Sequence, residues 1–105
     1  MTAALKLTIT DAAKQRIKEF LNSTELDNPL PALLLRMNTN DHPEGWYIGA
    51  YGEEQVRDLE SLYTEKGLVL IYHTDDMKIC VPQTHLIPKL DGKTLDRQED
   101  CYVIL

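Results

Sequence analysis

The N-terminal third of the chain changes from strand periodicity to helix periodicity. Residues 5–9 alternate apolar and polar side chains, as in a β-strand that buries one face. From Ala13 onward apolar residues recur at helical spacing, and Thr10 stands where a helix N-cap is expected. We therefore predict a strand followed by an amphipathic helix. This helix should end near residues 22–23, because Pro29 and the residues around it exclude a longer one.

The middle of the chain predicts two further strands and an ambiguous segment. Residues 32–37 are apolar almost throughout, which is typical of a strand covered on both faces. A dense set of turn formers over residues 38–45 predicts a loop, and residues 46–51 return as a strand. Residues 53–65 fit a second short amphipathic helix, but an irregular connection fits them as well.

The C-terminal half alternates short strands with polar turns. Residues 68–72 and 77–81 predict a hairpin, with Asp75 and Asp76 as turn residues. A last strand pair, residues 93–95 and 101–105, flanks a second polar turn. The complete pattern predicts an α+β fold, in which one helix packs on short, mainly antiparallel strands.

Composition restricts the size class, the compartment and the partners. A chain of 105 residues matches a single domain over residues 1–105. A net charge of −6 without a run of Lys or Arg disfavours nucleic acid and anionic membranes, because both require a basic surface. No apolar stretch approaches the roughly 20 residues that cross a bilayer, and no signal-peptide pattern is visible. We therefore expect an acidic cytoplasmic protein.

The sequence offers little for catalysis. Cys80 and Cys101 form no CxxC pair, and we expect both to be free thiols that pack as small buried hydrophobes. The chain contains no Gly-rich phosphate loop, no His-Glu-x-x-His motif and no serine elbow. These observations favour a protein that is not an enzyme.

The segment Val81–Asp96 is the most distinctive part of the chain. Two prolines bracket a short apolar turn, and Leu90-Asp91-Gly92 then leads into a strand, which predicts a corner of the sheet. Together with residues 7–21 and 33–47, this segment resembles the HesB/IscA-like family of A-type iron–sulfur carriers. The resemblance covers nearly the whole chain. It implies a mainly antiparallel, twisted β-sandwich or pseudo-barrel with the helix packed against it.

The cysteine ligands of that family are missing from this chain. Carriers of this kind use one cysteine in a loop and a Cys-Gly-Cys near the C-terminus, because thiolates are soft donors for iron. Here Pro43 falls near the position of the first cysteine, and Cys101 has no cysteine close by. The resemblance therefore implies a scaffold of iron–sulfur-biogenesis type without the usual cluster. We expect a non-catalytic binding, accessory or regulatory module with a protein partner, with no cofactor, and with a tendency to form homo-oligomers.

A mononuclear metal site is the alternative function. Asp41, His42 and Glu44 occupy the place of the family's ligand loop, and imidazole and carboxylate donors suit Fe(II) or Zn(II). The competing interpretation of the same residues is a solvated turn that binds nothing.

An aromatic group, Trp46, Tyr47 and Tyr51, is the candidate partner-binding surface. In a strand, Trp46 and Ile48 share one face and the two tyrosines share the other. Core packing of one face is the simplest interpretation. If the tyrosine face is exposed, it suits a protein partner, because Tyr and Trp are enriched at interfaces.

The metal-binding alternative predicts that His42→Ala weakens the binding of Fe(II) or Zn(II) by about tenfold or more. Loss of a ligand costs at least as much affinity as loss of a residue that orients one. Anaerobic titration of both proteins measures the difference, and equal, weak binding by the two would eliminate the alternative.

Overall fold

The computed structural model of the chain describes residues 2–37, 40, 45–74 and 77–105. In these residues the strands are β1 (Thr2–Ala4), β2 (Leu7–Ile9), β3 (Leu30–Arg36), β4 (Gly45–Tyr51), β5 (Ile71–Thr74), β6 (Met77–Cys80), β7 (Lys93–Gln98) and β8 (Cys101–Ile104). The helices are α1 (Asp11–Ser23), α2 (Glu53–Glu65) and the short α3 (Ile87–Leu90), which follows a 3₁₀ turn at Thr84–Leu86. The strands form one sheet in the order β1-β5-β6-β3-β4-β8-β7-β2.

This sheet corrects the predicted fold class. The protein is α+β and has the second helix over residues 53–65, but the strand pairing predicted for a mainly antiparallel β-sandwich or pseudo-barrel is wrong. The sheet is mixed, because β1 pairs with β5, β2 with β7 and β3 with β6 in parallel. Sequence patterns indicate hairpins between consecutive strands, and β5–β6 and β7–β8 are such hairpins. Parallel pairs join strands that are distant in the chain, so they leave no local signal.

The consecutive strands β1 and β2 lie at opposite ends of the strand order. Strands about 4.8 Å apart would place the two edges of a flat sheet of this order roughly 34 Å from each other. The two residues between Ala4 and Leu7 can span only about 11 Å. The sheet must therefore curve until its edges meet. A hydrogen bond from the Leu7 amide to the Leu5 carbonyl (2.8 Å) makes the tight turn at this junction.

The main chain of Lys6 fastens this junction to the turn before β7. Its amide donates to Oδ1 of Asp91 (3.2 Å), and its carbonyl accepts from the amide of Gly92. On the other side, the amide of Leu5 donates to the carbonyl of His73 (2.9 Å). We call this set of contacts the Lys6 corner. The prediction that Leu90-Asp91-Gly92 shapes a corner of the sheet is confirmed.

Both faces of the sheet are covered, as the apolar run in β3 predicts. Ala32 and Leu33 are adjacent and fully buried, and they belong to different clusters of buried side chains. α1 contributes Ala13 and Ile17 to the cluster that contains Leu33. α2 contributes Val56 to the cluster that contains Ala32. The two helices therefore lie on opposite faces of the sheet.

We predict that Gly92→Ala lowers the free energy of unfolding by about 1–2 kcal/mol, because the left-handed backbone disfavours any side chain. Gly92 has a φ of +78°, and an added Cβ would meet no atom within 4 Å, so the cost is conformational. Urea denaturation measures it. Gly45→Ala is the matched control, since its Cβ also has open space and its φ is not in the left-handed region. Equal midpoints for Gly92→Ala and the parent chain would contradict the prediction.

Candidate functional site

The predicted metal-ligand loop cannot be placed on the fold. Asp41, His42 and Glu44 lie outside the described residues, as do Asp75 and Asp76 of the predicted hairpin turn. In the part of the chain that the structure describes, no group of three or more His, Cys, Asp or Glu side chains could hold a metal ion. The mononuclear metal site therefore stays a prediction.

The aromatic residues of β4 alternate as predicted. Across the β3–β4 ladder, Trp46 is opposite Leu35, and Tyr47 is opposite Leu34 on the other face. Trp46 packs partly against the α1 cluster, whereas Tyr51 packs against the α2 cluster. Tyr47 is the most exposed of the three aromatic residues, with 43% of its surface accessible. The tyrosine face is therefore open at Tyr47 and largely covered at Tyr51.

A groove of about 640 Å³ lies between α1 and the strands β4, β7 and β8. Arg16 and Phe20 of α1 form one wall, and Trp46 and Tyr102 lie on the sheet side. We call it the arginine groove, because its lining includes Arg16, Arg36 and Arg97. Trp46 and Tyr47 both line this groove, although they lie on opposite faces of β4, and Tyr51 does not line it.

The arginine groove has a charge opposite to that of the whole chain. Asp100 is the acidic residue among the described lining residues, against the three arginines, whereas the chain carries a net charge of −6. Arg16 forms an exposed contact of 3.8 Å with Glu19, and such pairs are weak. None of the described carboxylates forms a salt bridge with Arg36 or Arg97. Among the described residues, Arg36 and Arg97 therefore keep a positive charge that no salt bridge neutralises.

A row of paired residues crosses three strands at this groove. Trp46 of β4 is the register partner of Tyr102 of β8, which in turn is the partner of Arg97 in β7. The guanidinium carbon of Arg97 lies 4.8 Å from the centroid of the Tyr102 ring, a cation–π contact. Arg97 Nε also donates to the carbonyl of Glu99 (3.4 Å). These contacts hold a cationic, planar group on an aromatic surface.

The Tyr102 phenol is neutral at pH 7, as a tyrosine ordinarily is. Burial raises the pKa of Tyr102, and this outweighs the opposing influence of the guanidinium groups of Arg97 and Arg16. The ring thus supports the guanidinium of Arg97 without adding a negative charge that would neutralise it. Guanidinium groups recognise carboxylates and phosphates with paired hydrogen bonds, and aromatic rings bind apolar bodies. The arrangement is suited to an anion that has an organic part.

The two cysteines have different environments and do not form a ligand pair. Cys80 is buried beside α2, and burial followed by the charge of Glu60 raises its pKa to about 11. Cys101 is exposed and lines the arginine groove, so the prediction of a buried thiol is right for Cys80 and wrong for Cys101. Two separate thiols do not fit an iron–sulfur cluster, which needs several converging thiolates.

Asp96 sets the position of α1, and hence of Arg16, against β7. The hydroxyl of Thr10, the N-cap residue of α1, donates to Oδ1 of Asp96 (2.6 Å) and accepts from the amide of Ala13 (3.3 Å). Oδ2 of Asp96 accepts from the side chain of Gln98 (3.2 Å). The Thr10 hydrogen bond, followed by that of Gln98, lowers the pKa of Asp96. These hydrogen bonds hold the Asp96 carboxylate in place, and through Thr10 it fixes the first turn of α1 against β7.

The arginines are the site residues that sequence reasoning missed. Arg16 lies on the polar side of the predicted helix, Arg36 at a strand end and Arg97 in the predicted turn over residues 96–100. Each position is ordinary for an arginine, and no spacing links the three. Only the pairing of distant strands brings them to one groove.

Comparison of the chain with protein-family models, with curated proteins and with solved structures found no match. Within the described ranges, no helix is both long and apolar enough to cross a membrane.

We predict that Asp96→Asn destabilises the protein at pH 7 and that this difference shrinks in acid. The folded pKa is lowered, so the contribution of the carboxylate is complete above its unfolded pKa of about 4 and is lost as the pH falls through the folded value. Urea midpoints between pH 7 and pH 2.5 measure both effects. Asp58→Asn on α2 is the control and should match the parent chain at each pH. A constant gap between Asp96→Asn and the parent would contradict the assignment.

Proposed function

We propose that this chain is a non-catalytic binding module that holds an organic anion in the arginine groove. The observation that carries the proposal is that Arg16, Arg36 and Arg97 line one groove with Trp46 and Tyr102 in a protein of net charge −6. An acidic protein repels anions over most of its surface, so a cationic groove selects the place where an anion binds. The aromatic rings add apolar contact for the organic part of the ligand.

The arginines differ in how firmly they are held, which divides their roles. Arg97 is held by the Tyr102 ring and by the carbonyl of Glu99, so little side-chain freedom is lost when it binds a ligand. Arg36 is exposed at the end of β3, and Arg16 is exposed on α1. We propose that Arg97 is already in position when the ligand arrives. Arg16 and Arg36 then turn toward the bound ligand and contact it.

The role in iron–sulfur biogenesis that the HesB/IscA-like resemblance implies stays a prediction. The mixed sheet differs from the sandwich implied by that resemblance, and the positions of Cys80 and Cys101 support a module without a cysteine-held cluster. Anaerobic purification should yield a colourless, stably folded protein without iron and sulfide. A cluster absorption that depends on cysteine would overturn this part of the proposal.

We further propose a cytoplasmic location, because both thiols are unpaired. A protein partner or a second copy of the chain is the proposed setting in which the module acts.

Trp46 tests anion binding directly, since it is the only tryptophan of the chain and lines the arginine groove. We expect phenyl phosphate to change its fluorescence saturably, and less strongly at high salt. Arg97→Gln should weaken binding by about tenfold, as loss of a charged hydrogen bond costs roughly 1.5–3 kcal/mol.

The control for this titration is Arg57→Gln, which removes the same charge from α2, outside the groove. Its affinity for phenyl phosphate should equal that of the parent chain. Arg36→Gln, at an exposed strand end, gives a second groove variant with little effect on the fold. A linear, non-saturating response, or equal weakening by Arg57→Gln and Arg97→Gln, would contradict the proposal.

A further inference from the structure

The strand β4 has an open edge next to the arginine groove. β4 pairs with β3 along its whole length, from Gly45 to Tyr51. On its other side β4 faces β8, and within the described residues Trp46 and Tyr102 are the pair in register there. No strand of the described chain is therefore in register with residues 48–50 on the side opposite β3.

This edge lacks the features that normally block strand addition. Protein edges are usually protected by charged side chains, prolines or bulges. Here the edge is Ile48-Gly49-Ala50, which has no charge, no proline and little bulk. All three residues are half-buried. Small side chains there allow a second backbone to approach closely.

The open edge and the arginine groove form one continuous surface. Ile48 is the first residue of the open edge, and it also lines the groove with Arg16 and Arg97. A strand laid along residues 48–50 would therefore have one end among the arginines. Three open residues correspond to about 10 Å of extended chain, and the groove lengthens the path. The size of the surface suits an extended segment of several residues.

We propose that the ligand of the arginine groove is an acidic, extended peptide segment that adds to β4 as a further strand. The inference rests on the proposed anion binding and names the class of ligand. Main-chain hydrogen bonds to β4 supply the directional part of recognition, as in other cases of strand addition. Carboxylates of the peptide meet Arg16, Arg36 and Arg97 and set its preference for acidic sequence.

The first test uses a blocked heptapeptide of alternating glutamate and threonine, with Trp46 fluorescence as readout. Its affinity should be about tenfold higher, or more, than that of blocked glutamate at the same glutamate concentration, because the peptide backbone adds hydrogen bonds to the charge contacts. The same peptide with glutamine in place of glutamate should lose this binding. Arg97→Gln and Arg36→Gln should weaken it, and Arg57→Gln should not.

The second test uses two N-methylated forms of the heptapeptide, one methylated at the odd amides and one at the even amides. In a strand, alternate amides point to opposite sides, so only one set can face β4. One form should therefore lose binding by about tenfold or more, while the other keeps it. Equal affinities of the two forms, or equal loss in both, would overturn strand addition.

The outcomes separate this inference from the proposed function. If phenyl phosphate binds but the heptapeptide is no tighter than blocked glutamate, strand addition is wrong and anion binding stands. If neither ligand binds, both proposals are wrong. If the heptapeptide binds and only one of its two N-methylated forms loses affinity, both proposals are supported.

Discussion

The fold depends on the hydrogen bonds that hold the main chain of Lys6 to Asp91 and Gly92. These bonds sit where β1 ends and β2 begins, between the two edges of the sheet. The two-residue connection between β1 and β2 forces the edges of the sheet to meet, and these bonds fix how they meet. Each such bond contributes about 1 kcal/mol, and the buried side chains of Leu5, Leu7 and Ile9 add to them.

The arginine groove follows from the curvature of the sheet. β7 is held beside β2 at the closed edge, and Asp96 of β7 then fixes the first turn of α1 through Thr10. Arg16 and Arg97 thereby line the same groove. In the described chain β8 is in register with β4 at Trp46, so residues 48–50 extend past the end of β8. The open edge therefore begins at Ile48, which also lines the groove.

The sequence predicts local features of this protein well and distant ones poorly. Thr10 as N-cap, the double coverage of β3 and the alternation of Trp46 and Tyr47 depend on neighbouring residues, which periodicity reports directly. The parallel pairs depend on residues far apart, and their absence from the prediction made the antiparallel sandwich wrong. The arginines were missed for the same reason, since each looks like an ordinary surface residue in its own segment.

The position of the Lys6 corner also orders the folding of the chain. The amide of Lys6 finds its partner in Asp91, 85 positions later, and both strands that flank Lys6 pair with distant parts of the sequence. Loop closure over such a separation is slow compared with hairpin formation. We therefore expect β1 and β2 to join the sheet after the hairpins β5–β6 and β7–β8 have formed.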